Sequence, residues 1–312
     1  MRISPEGIRF TTEEGSAMEA FVFLSKTLFS TYTYNTPPPS SSQDDFAPLP
    51  VFEINLASLL ETLNIFSLSD TNATKRPSDY ESFRLNRHAG VNAFSNHALG
   101  LNGICRISYE GEGSPLSIHM SESGVTTTCD LTTYETQSTE EIPFKRDALA
   151  LKTIMGSSYL LDAVAELTSM SPTHLTMTAT PRSSRSRPGG SNLSLTAAGA
   201  LGSATVDFTL ETPSETPILE TFLCEEKTSA SFKFSLIKAA QKAMAAATKV
   251  SIRLDDEGVL SLQLLVEVEA SAVNGAGKEP PAFVDFRIVP SLEGEAELNG
   301  NGALSDDTED DD

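Results

Sequence analysis

The stretch Ser229–Val268, SASFKFSLIKAAQKAMAAATKVSIRLDDEGVLSLQLLVEV, decides how the rest of the chain is read. Phe232 and Phe234 alternate with polar neighbours, the two-residue period of a half-buried strand. Ser235 is placed to cap a helix of about three turns. Leu236, Ile237, Ala240, Met244 and Ala247 form its apolar side at helical spacing. Lys249–Leu254 returns to strand alternation. Asp255-Asp256-Glu257-Gly258 then reads as a tight turn, and Val259–Val268 as the returning strand.

The same order occurs earlier. Phe52-Glu-Ile-Asn-Leu56 leads into a helix as Phe232-Lys-Phe-Ser-Leu236 does, with Asn55 as its cap and Leu56, Leu59, Leu60, Leu63 and Phe66 as its stripe. Ile104–Tyr109 matches Val250–Leu254, and the triplet Leu116-Ser-Ile118 matches Leu260-Ser-Leu262. A last strand follows in each half, Val125–Thr132 and Phe283–Val289. This is a tandem repeat of a β-rich unit with few short helices.

The second half opens with a further strand, Leu149–Met155, and a helix, Ser157–Thr168, whose apolar side reads as Leu161, Val164, Ala165 and Thr168. Strands over Thr173–Thr180, Asn192–Ala198 and Ala204–Leu210 come next. The first half starts directly at its hairpins, with strands expected around Ile3, Ile8, Phe10, Ala20–Leu24 and Thr27–Tyr34. One strand and one helix therefore have no counterpart there. Either the start codon is internal, or the gene model is truncated, or the first domain is shorter. The expected division is a first domain at 1–132 with an insertion at about 67–102, a connector at 133–146, a second domain at 147–292 and an acidic tail at 293–312. Residues 35–50 and 182–190 read as loops.

Composition narrows the function. Hydrophobic residues make up 39% of 312, enough for real cores. No run approaches the roughly 18 apolar residues of a membrane span, and no signal peptide is expected. Cys105, Cys129 and Cys224 are far apart and fit free thiols in a reducing compartment. The net charge of −21 argues against a nucleic-acid binder unless the cations are gathered on one face. The last eight residues, SDDTEDDD, hold six of the acids.

Catalytic signatures are weak. The adjacent acids Asp255, Asp256 and Glu257 could suggest metal-assisted phosphodiester cleavage, but acids before a glycine between two strands describe a hairpin turn. His88, His97, His119 and His174 lack ligand spacing, so neither metal nor cofactor is expected. No thiol nucleophile or phosphate loop is indicated.

Several patches resemble a known family. KVSIRLDDEGVLSLQLLV, with FKFSLIKAAQKA before it and FVDFRIVP after it, resembles the Rad-one subunit of the nine-one-one checkpoint clamp. So do FEINLASLLETLNIF, SPLSIHMSESGVTTTCDLTT and SSYLLDAVAELTSMSPTHLTMTATP. The resemblance implies an α+β fold of two tandem DNA-clamp domains, sheets outside and short helices on the inner face. It implies a non-catalytic subunit that joins two other clamp subunits in a heterotrimeric ring around duplex DNA in the nucleus. A clamp loader would place the ring, which would recruit checkpoint and repair proteins. The alternatives are a 3′–5′ exonuclease and a homotrimeric replication clamp.

The resemblance also gives residues a role. Lys238 and Lys242, one turn apart, with Lys249 beyond and Lys152 as a weaker candidate, would face DNA phosphates; the other reading is a solvated helix face. Partner peptides would dock between the connector (Ile142, Pro143, Phe144) and the chain end (Val289, Pro290), where simple packing of a linker is the alternative. Asp162 and Glu166 leave the other helix without a cation. Ser305 and Thr308, among acids, are possible phosphorylation sites.

Overall fold

The computed structural model describes residues 1–35, 49–67, 104–122, 125–136, 141–181, 191–200, 202–210, 217–267 and 281–291. The expected insertion at 67–102, most of the loops at 35–50 and 182–190, and the tail with Ser305 and Thr308 lie outside the described residues. The chain forms two units. One holds residues 1–142, 242–250 and 263–286, and the other 143–241, 251–262 and 287–312. Neither unit is a contiguous stretch of sequence.

In the first unit β1 (Arg2–Ser4), β2 (Gly7–Glu14) and β3 (Met18–Ser25) form an antiparallel meander. Gly7 is required at its position: φ is +150°, and a Cβ would lie 2.1 Å from the Leu24 carbonyl oxygen. The strand expected over Thr27–Tyr34 is instead a short 3-10 turn, Lys26–Leu28, followed by irregular chain. Ser25 caps it by accepting from the Thr27 N–H, which ends the extended run.

β4 (Glu53–Ile54) leads into α1 (Leu56–Ser67), and the Asn55 cap is observed, Oδ1 accepting from the Ser58 N–H at 3.0 Å. The expected stripe is corrected: Leu59 is buried, whereas Leu56 and Leu60 are exposed. The Phe66 side chain lies outside the described residues. β5 (Ile104–Tyr109), β6 (Leu116–Glu122) and β7 (Val125–Leu131) make an antiparallel sheet. Its inner face packs Leu116, Ile118 and Leu131 with Phe52 and Leu59, and Tyr109 stacks on Phe52 at 4.3 Å. The connector does not begin as loop. Thr133–Tyr134 is β8, paired antiparallel with β4, because backbone groups beside a partly buried strand need partners.

The chain continues with β9 (Leu149–Gly156) and α2 (Ser157–Thr168), whose bounds match the expectation. The buried face of α2 is Leu160, Ala163, Val164 and Leu167; of the set read from sequence Val164 is on it, whereas Leu161, Ala165 and Thr168 are half-buried, since at 100° per residue a one-residue error rotates the face. β10 (Pro172–Ala179), β11 (Leu193–Gly199), β12 (Gly202–Phe208), β13 (Leu219–Leu223) and β14 (Thr228–Lys233) follow. β13 went unread in the sequence because its inward residue, Leu219, is the only buried one. The order in one sheet is β12-β11-β10-β14, and α2 packs on β9, β11 and β12.

The helix expected as one piece is two: α3 (Phe234–Ala239) and α4 (Gln241–Ala246). Ser235 is inside α3, and Lys233 holds the cap position without a side-chain bond. Phe234 sets this boundary: it is buried and belongs to the first turn. β15 (Lys249–Asp255), β16 (Leu260–Val266) and β17 (Ala282–Ile288) close the fold and contribute residues to both units. The strand order is β1-β2-β3-β17-β16 in the first unit and β16-β15-β9-β13 in the second.

The repeat is carried by topology as well as pattern. β14 pairs with β10 before α3, and Val51 bridges Arg2 in β1 before α1. Phe232 and Phe52, the matching residues, are both buried. The Ser291 N–H donates to the Ser231 carbonyl after β17, as β8 returns to β4 after β7. Phe232 is fully buried, so Phe232→Ala is expected to destabilise by about 3–5 kcal/mol. The exposed control Lys227→Ala should stay within about 0.5 kcal/mol, both read by urea unfolding.

Candidate functional site

The acidic turn is a fastening point in the second unit. Asp255 is buried at 2% exposure, and its Oδ1 accepts from the Glu257 N–H (3.1 Å) and the Val259 N–H (2.8 Å). Its Oδ2 accepts from the Lys145 N–H of the connector at 3.1 Å. The carboxylate thus closes the turn and holds the connector, the arrangement of an Asx turn extended to a third donor. Gly258 supplies the positive φ of +81° that the turn needs.

The neighbouring acids hold the connector from outside. Lys145 Nζ lies 2.8 Å from Glu257 and 3.2 Å from Asp256. The hydrogen bonds to Glu257 first, and Asp256 next, raise the Lys145 ammonium above its ordinary range. The Asp256 N–H donates to the Ala148 carbonyl at 3.0 Å. One residue back in the connector, Phe144 sits 5.5 Å under the Arg253 guanidinium, itself bonded to Ser261. Val289 is exposed, and Pro290 is half-buried beside Gly258. Ile142, in the first unit, is buried, and its N–H donates to the buried Glu19. Pro143 is exposed.

The lysines are open to solvent. Lys238 is exposed in the last turn of α3, Lys242 is exposed in α4, and Lys249 is exposed at the first position of β15. Lys152 is half-buried and lies on the face of β9 opposite Leu151, Thr153 and Met155. Asp162 and Glu166 are exposed on α2.

Sequence reading missed two features. The first is a pair of sheet edges. Among the described residues β7 is bonded to β6 alone and β12 to β11 alone. The two edges match in detail: Ser117 donates to Asp130 of β7, and Ser194 donates to Asp207 of β12, each at 2.5 Å. An open edge is a template for a strand from another chain. The repeated Thr and Ser of VTTTCDL and GSATVDF were the available signal. The second is a groove of about 230 Å³ in the first unit, lined by Phe21, Phe23, Leu28, Pro281, Phe283 and Asp285, among others. Phe23 and Phe283 are each 41% exposed on β3 and β17. Their alternation read only as strand.

The thiols and imidazoles have ordinary surroundings. Desolvation raises the Cys105 and Cys224 thiols above their usual range. His119 bonds Thr128 and His174 bonds Thr173. Among the described residues no group of three or more His, Cys, Asp or Glu could hold a metal ion. No described helix is long and apolar enough to cross a membrane.

The fold of the tandem copies is that of the DNA clamps. The crystal structure of PCNA from Thermococcus kodakaraensis matches with a TM-score of 0.58, covering 93% of this chain and 89% of its own, at 17% identity. The sequence places the chain within that class. It belongs to the family described as "Repair protein Rad1/Rec1/Rad17", whose model matches residues 1–266. The DNA damage checkpoint control protein rad1 of Schizosaccharomyces pombe is 28% identical over 93% of this chain and 78% of its own. The cell cycle checkpoint protein RAD1 of Mus musculus is 28% identical over 92% and 82%.

Asp255→Ala is expected to destabilise by about 2–3 kcal/mol, because it leaves buried N–H donors without a partner. The Lys145 ion pairs have the opposite pH window to a carboxylate's. With a folded pKa above the unfolded value of about 10.4, their stabilisation is complete below that pH and is lost as pH rises through the folded value. The thermal midpoints of the wild type and Lys145→Met should therefore differ at neutral pH and converge in strong alkali.

Proposed function

We propose that the chain is a DNA-damage checkpoint clamp subunit that completes a ring with two other clamp subunits around duplex DNA in the nucleus, without chemistry of its own. The observation that carries this reading is a matched pair of open strand edges, β7 in the first unit and β12 in the second, among the sheet edges that β5, β13 and β14 also leave, on a clamp fold. Two different edges on one chain suit head-to-tail contacts, which close into a ring when the rotation allows. A loader would open and place the ring, and checkpoint and repair proteins would dock on it.

Lys238, Lys242 and Lys249 would meet phosphates without reading bases, as a sliding contact requires. Lys152, on the other face of its strand, is the weaker contact. Partner peptides would dock beside Pro143, Phe144, Val289 and Pro290, next to the Ile142 anchor. The Phe23–Phe283 groove offers a further seat for an aliphatic or aromatic anchor. Asp255 spends its carboxylate on backbone donors, which favours a turn over a nuclease centre.

In the assembled ring, Lys238→Ala with Lys242→Ala is expected to lower DNA affinity and to reduce the slope of log K against log salt by up to about 2. Lys152→Ala should have the smaller effect; unchanged binding by the double variant would remove these lysines from the DNA face. Mass measurement of the purified chain distinguishes the assemblies, since a stable homotrimer would contradict the heterotrimer. A Mg²⁺-dependent exonuclease activity abolished by Asp256→Ala would overturn the non-catalytic reading.

A further inference from the structure

The sheet of β5, β6 and β7 has two unlike faces. One packs Leu116, Ile118 and Leu131 against Phe52 and Leu59. The other is polar, and the strand register sets its side chains in rows. Arg106, His119 and Thr128 are cross-strand neighbours in one row. Ser117 and Asp130 follow in the next row toward the β5–β6 turn, where Glu110 and Glu112 are exposed. Arg106 is the one Lys or Arg in these three strands. It is exposed, and among the described residues no ion pair joins it to an acid. Asp130 sits two strands and one row away, roughly 12 Å by ladder spacing, and accepts from Ser117 instead. His119 Nδ1 lies 3.0 Å from the Thr128 hydroxyl oxygen. A hydroxyl donating there leaves the ring proton on Nε2, a donor one strand from the guanidinium.

We infer that this face binds a phosphorylated serine or threonine of a partner protein that carries Lys or Arg three or four residues away. Arg106 takes two phosphate oxygens in its planar fork, and His119 donates to a third. The basic residue meets Asp130, Glu110 and Glu112 at the turn end. An extended chain spans about 3.3–3.6 Å per residue, so three or four residues cover the roughly 12 Å between the two charged ends. The charge map selects this occupant. A nucleic-acid strand carries a phosphate at every nucleotide and would meet the three acids. A free nucleotide or sugar phosphate is held in a concave site, and this face is an open sheet. The site uses neither the connector nor the lysines, so it stands without the ring or its DNA.

The test follows fluorescence anisotropy of a labelled alanine-based peptide with one phosphothreonine and a lysine four residues after it, titrated with the full chain. The expected affinity is about tenfold above that of the same peptide with plain threonine. Glutamate in place of the lysine should weaken binding about threefold. Arg106→Gln with His119→Gln should remove the preference for phosphate. Arg106→Lys keeps the charge without the fork and should weaken binding about threefold, which decides the matter if the double variant fails to fold. Equal affinity for the two threonine peptides overturns the inference, and so does a phosphate preference undiminished in both variants. An oligothymidine that binds as tightly as the phosphopeptide, and loses that affinity in Arg106→Lys, overturns it as well. Because the chain is tested alone, failure here leaves the clamp reading standing.

Discussion

The buried carboxylate of Asp255 is the interaction on which the second unit's organisation turns. A charged group at 2% exposure persists only when its lone pairs are satisfied, and here backbone N–H groups of Glu257, Val259 and Lys145 do so. Two of those donors close the hairpin that joins β15 to β16. The third comes from the connector, more than a hundred residues earlier in the chain. A turn that by sequence needed only to reverse direction therefore also fixes where the second unit begins. Asp256 and Glu257 reinforce the same point from the solvent side through Lys145, where screening leaves less of each pair's strength.

That arrangement accounts for the chemistry of the site. Acids that serve a metal converge from several elements and keep lone pairs available. Asp255 does neither, and its neighbours are occupied by a lysine. The features left available to other molecules are of a different kind: strand edges, exposed lysines and an aromatic groove. The proposed contacts with backbones, phosphates and apolar side chains rest on these features. Membership of the Rad1 family agrees with that proposal, and the likeness to a PCNA structure shows the fold.

The tandem copies show how one pattern meets two environments. Phe52 and Phe232 are buried alike, as are Leu116 with Leu260 and Ile118 with Leu262. These residues face inward within their own copy, so the period-two rule alone places them. Leu56 and Leu236 share a pattern yet differ about tenfold in exposure, a difference that helical spacing alone does not set.

Much of the fold was legible in the residues. The helix over Ser157–Thr168, the Asn55 cap, the acidic hairpin and the order of the repeat follow from spacing, capping chemistry and turn residues, all of which act within a few positions. The tertiary structure decided what depends on distant partners. It set which side of α2 is buried, since a rotation of one residue satisfies the same pattern. It made Thr133–Tyr134 a strand by presenting β4 beside it. It divided the Ser235–Thr248 helix at Ala240, whose N–H donates to the Ile237 and Lys238 carbonyls as the cap of α3. In the stretch Ser229–Val268, sequence determined strand, helix, turn and strand. Only the folded chain assigned the turn its second task, because no local pattern shows that a carboxylate will meet an N–H from Lys145.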